Sequence, residues 1–152
     1  MVDAGFNDLI RPAMYGSYHH ISIVGKGGGR VSAPAAGRSD ERSDERSDER
    51  SDERSDERFV ERFVVAGPLC ESGDVFTRDD RELLDPRPLP RPDVGDLLVL
   101  HDAGAYGSAM SSNYVSIGRA AQVWWDDGKA TLVARRETLD DVVRAECDER
   151  LA

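Results

Sequence analysis

Apolar and polar residues alternate along residues 18–24, where β-branched and aromatic side chains are also dense, and this predicts a strand. Residues 59–66, carrying Phe63-Val64-Val65, predict a second. Residues 96–101 hold the unbroken apolar run Leu97-Leu98-Val99-Leu100, short enough for a buried strand. Residues 121–125 and 130–135 flank Asp126-Asp127-Gly128-Lys129, a strong hairpin signal. Pro86, Pro88, Pro90 and Pro92 predict an extended connector over 85–93. Two helical pieces remain. Residues 9–15 suit one or two turns, since Pro12 is tolerated in a first turn. Thr138 suits the N-cap of a helix over 139–147, with Asp141 at N3 completing a capping box. Short strands with few helices predict an all-β domain, an antiparallel β-sandwich or Greek-key barrel with short helices.

Residues 38–58 break this pattern because they are almost entirely charged. The unit Ser-Asp-Glu-Arg runs from Ser39 to Arg58 in five identical copies. On a helix, a period of four would set Glu41 beside Glu45 and Asp40 beside Asp44, which repel; Arg42–Glu45 pairs offset only part of that. With no apolar face in any conformation, nothing offsets the entropy of ordering the backbone. The segment therefore reads as a solvated, disordered insertion in preference to a partner-binding arm. Gly25-Lys26-Gly27-Gly28-Gly29-Arg30 lacks the spacing and the Lys-Ser/Thr ending of a phosphate loop, and reads as the flexible start of that linker.

Charge narrows the choice of partners. Thirty acidic against 20 basic residues leave a formal charge of −10, and 18 of the basic residues are Arg. Nucleic acid and anionic membrane are disfavoured, because phosphate binding needs a basic patch. No apolar run approaches the ~18 residues of a membrane helix, and Met1-Val2-Asp3 lacks the basic and apolar regions of a signal peptide. Cys70 and Cys147 have no CxxC or Cys/His spacing, so neither zinc nor a disulfide framework is suggested. A soluble cytoplasmic protein is expected. His19, His20 and His101 lack ligand spacing and read as structural.

Three clusters carry the chemistry. The first runs Asp3-Ala-Gly-Phe-Asn-Asp-Leu-Ile-Arg-Pro-Ala-Met-Tyr-Gly-Ser-Tyr-His19. The second is Gly67-Pro-Leu-Cys-Glu-Ser-Gly-Asp-Val-Phe76, and the third Asp102-Ala-Gly-Ala-Tyr-Gly-Ser-Ala-Met-Ser-Ser-Asn-Tyr114. The Cys70 thiol, flanked by Glu71 and near Asp74, has its ionised form disfavoured by like charge. That suits a proton donor better than a nucleophile, although a lone cysteine is ordinarily a small packing residue. Arg11 and Tyr15, spaced i,i+4, share one face of a short helix. An Arg fork beside a phenol makes a carboxylate clamp, although spacing alone would leave Arg11 on the surface and Tyr15 in the core. Small residues around Tyr106 let backbone and ring approach a ligand closely.

In this order, the three clusters closely resemble the motifs of diaminopimelate decarboxylases, and the resemblance covers nearly everything except residues 25–60. It implies the C-terminal β-domain of a pyridoxal-phosphate lyase that converts meso-2,6-diaminopimelate to L-lysine and CO2. Residues 1–24 and 59–152 would form that domain, and 25–58 an inserted linker. Cys70 would be the proton donor that completes the reaction after CO2 leaves. Glu71 would receive the distal ammonium of the substrate, Arg11 and Tyr15 would hold the substrate, and Tyr106 would touch both substrate and pyridoxal phosphate. Cys147 keeps its packing role.

The resemblance stops short of a whole enzyme. A pyridoxal enzyme needs a lysine for its Schiff base, and Lys26 and Lys129 lie in a glycine linker and a hairpin turn. The barrel that carries that lysine and the phosphate-binding loop is not in this sequence, and Met1 falls partway into the family's β-domain. The family is dimeric, with the Cys-Glu loop of one subunit reaching the cofactor on the other's barrel. Two readings stay open: a C-terminal part that completes an active site with a barrel of the same or a partner subunit, inactive alone, or a catalytically inactive fragment or remnant binding domain of that fold. An altered substrate is a third, against which the Glu71 match counts.

Overall fold

The computed structural model of the chain describes residues 1–25, 30–31 and 59–146. The Ser-Asp-Glu-Arg repeat expected to be disordered, together with Lys26 and Cys147, lies outside the described residues.

The chain opens with a loop and helix α1 (Arg11–Tyr15), whose Pro12 sits in the first turn where its missing N–H costs nothing. Gly16 ends it in the left-handed region, donating its amide to Pro12 O. Strand β1 (Ile21–Val24) follows with alternate residues buried. It pairs antiparallel with β2 (Arg30–Val31) on one side and later with β5 (Leu97–Leu100) on the other. Strand β3 (Val60–Phe63) pairs antiparallel with β4 (Arg87–Pro90). Helix α2 (Gly107–Met110) and a 3-10 turn (Tyr114–Ser116) precede the hairpin β6 (Gln122–Asp126) and β7 (Lys129–Ala134). Helix α3 (Leu139–Val143) closes the described chain.

The expected sandwich or Greek-key barrel is not what forms. Among the described residues the strands make three separate sheets, in the orders β2-β1-β5, β3-β4 and β6-β7, and none closes. A sandwich needs two sheets that each bury a face. Here β6 is exposed along its whole length, with Trp125 69% accessible, and β7 is exposed up to its last residue. Residues 64–86 contain no strand, only the isolated bridges Ala66–Val75 and Arg78–Leu84, so they add no second sheet.

Two local expectations also change. Leu97-Leu98-Val99-Leu100 is not a buried strand but an edge, exposed at Leu97 and Val99. The proline-rich connector is strand β4. Pro88 and Pro90 alternate with residues whose amides face β3, as Arg91 N–H donating to Phe59 O shows, so the missing donors fall on the outer side. The hairpin forms where the Asp-Gly signal puts it, Asp127 and Gly128 both taking positive φ. Thr138 caps α3 with the full capping box. There the Arg135 guanidinium first, then the Thr138 amide and hydroxyl, hold the Asp141 carboxyl well below the usual carboxylate range.

The core is small. Leu9, Ile21, Ile23, Val65, Phe76 and Leu89 form it, with Phe63, Leu98 and Leu100 packed around it. Buried polar groups knit its margin. Arg87, stacked 4.2 Å over the Tyr18 ring, donates to His19 O at 2.7 Å, and His19 Nδ1 donates to His101 O at 2.9 Å. Ser22 Oγ lies 2.7 Å from His101 Nε2. No helix among the described residues is long and apolar enough to cross a membrane.

Ile23, 1% accessible, stands at the centre of this core, and Leu97, 67% accessible, at its open edge. In urea denaturation, Ile23→Ala should cost about 2–5 kcal/mol. Leu97→Ala should stay within about 0.5 kcal/mol of the parent chain.

Candidate active site

The second cluster folds into a closed turn. Gly67 donates to Asp74 O at 3.0 Å, Asp74 to Glu71 O at 3.1 Å and Glu71 to Leu69 O at 2.8 Å. Inside it lies the Asp74 carboxylate, 2% accessible. One oxygen accepts the Leu69 amide and the other the Phe6 amide, each at 2.8 Å. Asp74 thus ties the turn carrying Cys70 to the first cluster. Gly67 must be glycine here: a Cβ would stand 2.3 Å from Asp74 Oδ2 and 2.7 Å from Ala4 O.

The third cluster joins the same junction. Ser112 donates to Asn7 O at 2.9 Å, and the Phe6 and Tyr114 rings meet with centroids 4.9 Å apart. All three motifs, far apart in sequence, therefore converge on residues 5–9.

Two groups of predicted site residues emerge around that junction. Arg11 lies between two phenol rings, its guanidinium carbon 5.6 Å from the centre of Tyr15 and 5.3 Å from that of Tyr106. Tyr15 is therefore exposed beside Arg11 and is not a core residue. Among the described residues no carboxylate bridges Arg11, so its donor fork is available to an anion. Tyr106 holds φ +63° at the start of α2, and the residue is 61% accessible. A left-handed tyrosine is uncommon, and here it leaves the ring beside Arg11.

Cys70 and Glu71 form the other group, both exposed, with Cys70 a free thiol. Asp74 does not join them as a second surface charge, because it is spent on backbone amides. Glu71 is preorganised. Its Oε1 accepts the Ser72 hydroxyl and the Gly73 amide, each at 3.1 Å, and its Oε2 accepts the Tyr114 hydroxyl at 3.3 Å. The Gly73 amide first, then Ser72 and Tyr114, hold the Glu71 carboxyl below its ordinary range. Desolvation first, then the Glu71 charge, push the Tyr114 phenol up.

Tyr114 and Asp74 are the contributors that motif reading did not single out as site residues. Their local signal was only membership of the clusters. The 3-10 turn carrying Tyr114 is itself strained, with Val115 at φ +50° and Ser116 at φ +60°. Glu137 braces it, accepting from Asn113 Nδ2 at 2.6 Å and from the Arg119 amide at 2.9 Å. No three of the His, Cys, Asp and Glu residues among those described stand close enough to hold a metal ion.

Residues 1–104 match the family described as "Pyridoxal-dependent decarboxylase, C-terminal sheet domain". The chain is 48% identical over 146 residues to the diaminopimelate decarboxylase of Escherichia coli and 44% identical over 148 residues to that of Streptomyces coelicolor. These alignments cover 96% and 97% of this chain but 29% and 28% of the relatives, so the chain spans under a third of their length. Among solved structures, a diaminopimelate decarboxylase superposes with a TM-score of 0.76 at 44% identity, covering 95% of this chain and 28% of that one. The enzyme from M. jannaschii in complex with L-lysine gives 0.68 at 32%, covering 98% of this chain and 26% of that one.

If Asp74 is the junction, Asp74→Ala should destabilise the chain by about 2–3 kcal/mol, leaving two buried amides unpartnered. Hydrogen exchange should accelerate at Phe6 and Leu69 more than in β1. Val115→Asn, replacing a β-branched residue by one that tolerates positive φ, should instead raise stability by about 0.5–1 kcal/mol in the same denaturation assay.

Proposed function

The chain belongs to the pyridoxal-dependent decarboxylases, as their C-terminal sheet domain, and from that premise we propose that it is the C-terminal part of a diaminopimelate decarboxylase. The reaction would take meso-2,6-diaminopimelate to L-lysine and CO2. The single observation that carries this reading is the convergence of Cys70-Glu71 and of Arg11, Tyr15 and Tyr106 on the junction around residues 5–9.

Pyridoxal phosphate is the cofactor this reading implies. The residues fit it as one wall of a site: the exposed phenol at Tyr106 suits contact with an aromatic ligand held by another domain. Among the described residues the lysine that could anchor it, Lys129, stands exposed in the β6–β7 hairpin. A barrel of the same or a partner subunit would supply that anchor, in a homodimer when complete. Residues 1–24 and 59–152 would form the domain, with 25–58 inserted. Bound, the cofactor supplies an electron sink for the pair left when a carboxylate departs as CO2.

This chain's own residues would do the rest. Arg11 and Tyr15 hold a substrate carboxylate by charge-assisted hydrogen bonds. Glu71 offers its anionic oxygen to the distal ammonium. Cys70 gives its Sγ proton to the carbon that lost CO2, and the resulting thiolate, being exposed, regains a proton from solvent. A second reading, an inactive domain of the same fold, draws on the position of Lys129.

The test joins this chain to the barrel portion of the Escherichia coli relative and follows CO2 release from meso-diaminopimelate. Turnover is expected. Cys70→Ala should lower kcat by about 10²–10⁴-fold with little change in KM, because proton delivery is a transition-state event. Glu71→Gln and Arg11→Ala should chiefly raise KM. Near-normal turnover in Cys70→Ala would overturn the acid assignment, and no turnover from two folded parts would favour the inactive domain.

A further inference from the structure

Glu71 is an exposed carboxylate, yet three neutral donors of its own chain already engage it. A carboxylate offers about four lone-pair positions. The Ser72 hydroxyl and the Gly73 amide occupy those of Oε1, and the Tyr114 hydroxyl takes one on Oε2. None of the three brings a charge, so the negative charge stays unneutralised while its free acceptor positions fall to one. Tyr114 cannot swing freely, because its ring packs at 4.9 Å on Phe6, whose amide Asp74 holds. On the other flank Asn113 donates to Glu137, which Arg119 grips at 3.0 Å.

We infer that Tyr114 is a positioning residue that restricts Glu71 to a single open acceptor position on Oε2, making it a one-point site for a primary ammonium and a poor one for a guanidinium. A primary ammonium can engage a single oxygen through one of its three N–H groups, leaving the other two for further partners. A guanidinium binds a carboxylate best through two parallel N–H groups to two oxygens, and Oε1 is already spent. Tyr114 would thus set selection between an aminoalkyl and a guanidinoalkyl substrate. This rests on the proposed role of Glu71 as the distal-ammonium acceptor. Desolvation first, then the Glu71 charge and hydrogen bond, raise the Tyr114 phenol. Because the Glu71 carboxyl is lowered, its charge persists beneath the ordinary carboxylate range and is lost only as the pH falls through the lowered value.

Two measurements test it. In the 152-residue chain, NMR pH titration of the Glu71 carboxyl should show it ionised below the ordinary range. Tyr114→Phe, which keeps the ring on Phe6, should move it upward. Glu71→Gln should reciprocally move the Tyr114 phenol down. In the barrel-joined enzyme, Tyr114→Phe should raise KM for meso-diaminopimelate about two- to fivefold while kcat falls by less. The same variant should narrow the gap between inhibition by L-lysine and by L-arginine. Unchanged Glu71 titration in Tyr114→Phe, or an unchanged lysine-to-arginine inhibition ratio, would overturn the inference. Were Glu71→Gln itself to leave KM unaltered, the fault would lie with the role of Glu71, and the titration would still judge the Tyr114 contact.

Discussion

Everything at the candidate site hangs on one buried carboxylate accepting two backbone amides. Asp74 takes the Leu69 and Phe6 amides, one on each oxygen. A buried charge is costly unless it is hydrogen-bonded, and here each oxygen accepts one peptide amide that would otherwise be orphaned itself. The arrangement therefore constrains both partners. The turn carrying Cys70 and Glu71 cannot shift without uncovering Asp74, and neither can the segment leading to Arg11. Glycine at 67 follows directly, since any side chain there would collide with the carboxylate.

Glu71 and Asp74 show how three residues of separation divide two acidic groups. Asp74 faces inward and is spent on structure. Glu71 faces outward, oriented by Ser72, Gly73 and Tyr114 but carrying its full charge. Like charge flanking the thiol in sequence thus resolves into one nearby surface carboxylate, with the second turned to the backbone. A structural anion beneath a presented one is a compact solution for a short loop, because the same turn both stabilises and aims.

The remainder of the chain leaves much apolar surface open. The β6–β7 hairpin exposes Val123 and Trp125 on one face and Trp124 on the other. Two strands alone are marginal. What tethers this pair is polar: Glu137 joins the end of β7 to Arg119 and Asn113, and the Thr138–Asp141 box starts α3 just beyond. The same tether reaches the strained turn that carries Tyr114, so the hairpin's attachment and the placement of that phenol are mechanically linked.

Local elements were legible because local rules decide them. Asp127-Gly128 must turn, since it supplies two positive φ angles; Thr138 with Asp141 must cap, since both donors lie within one turn; Arg11 and Tyr15 share a face because 3.6 residues make a turn. The three motifs likewise carried the family resemblance, because residue types in a fixed order are themselves a sequence property. Sheet architecture was not legible. Strand closure depends on which faces find partners, and alternation in β1 says nothing of whether β6 has one. Nor does sequence spacing reveal that prolines 88 and 90 both turn their missing donors outward, which only the β3–β4 register sets. Asp74 read as a neighbour of the thiol, because a linear string cannot tell which carboxylate will face inward. That choice, and the meeting of Tyr114 with Glu71 across 43 residues, belonged to the tertiary structure: both depend on backbone amides and a ring brought from distant segments to one junction.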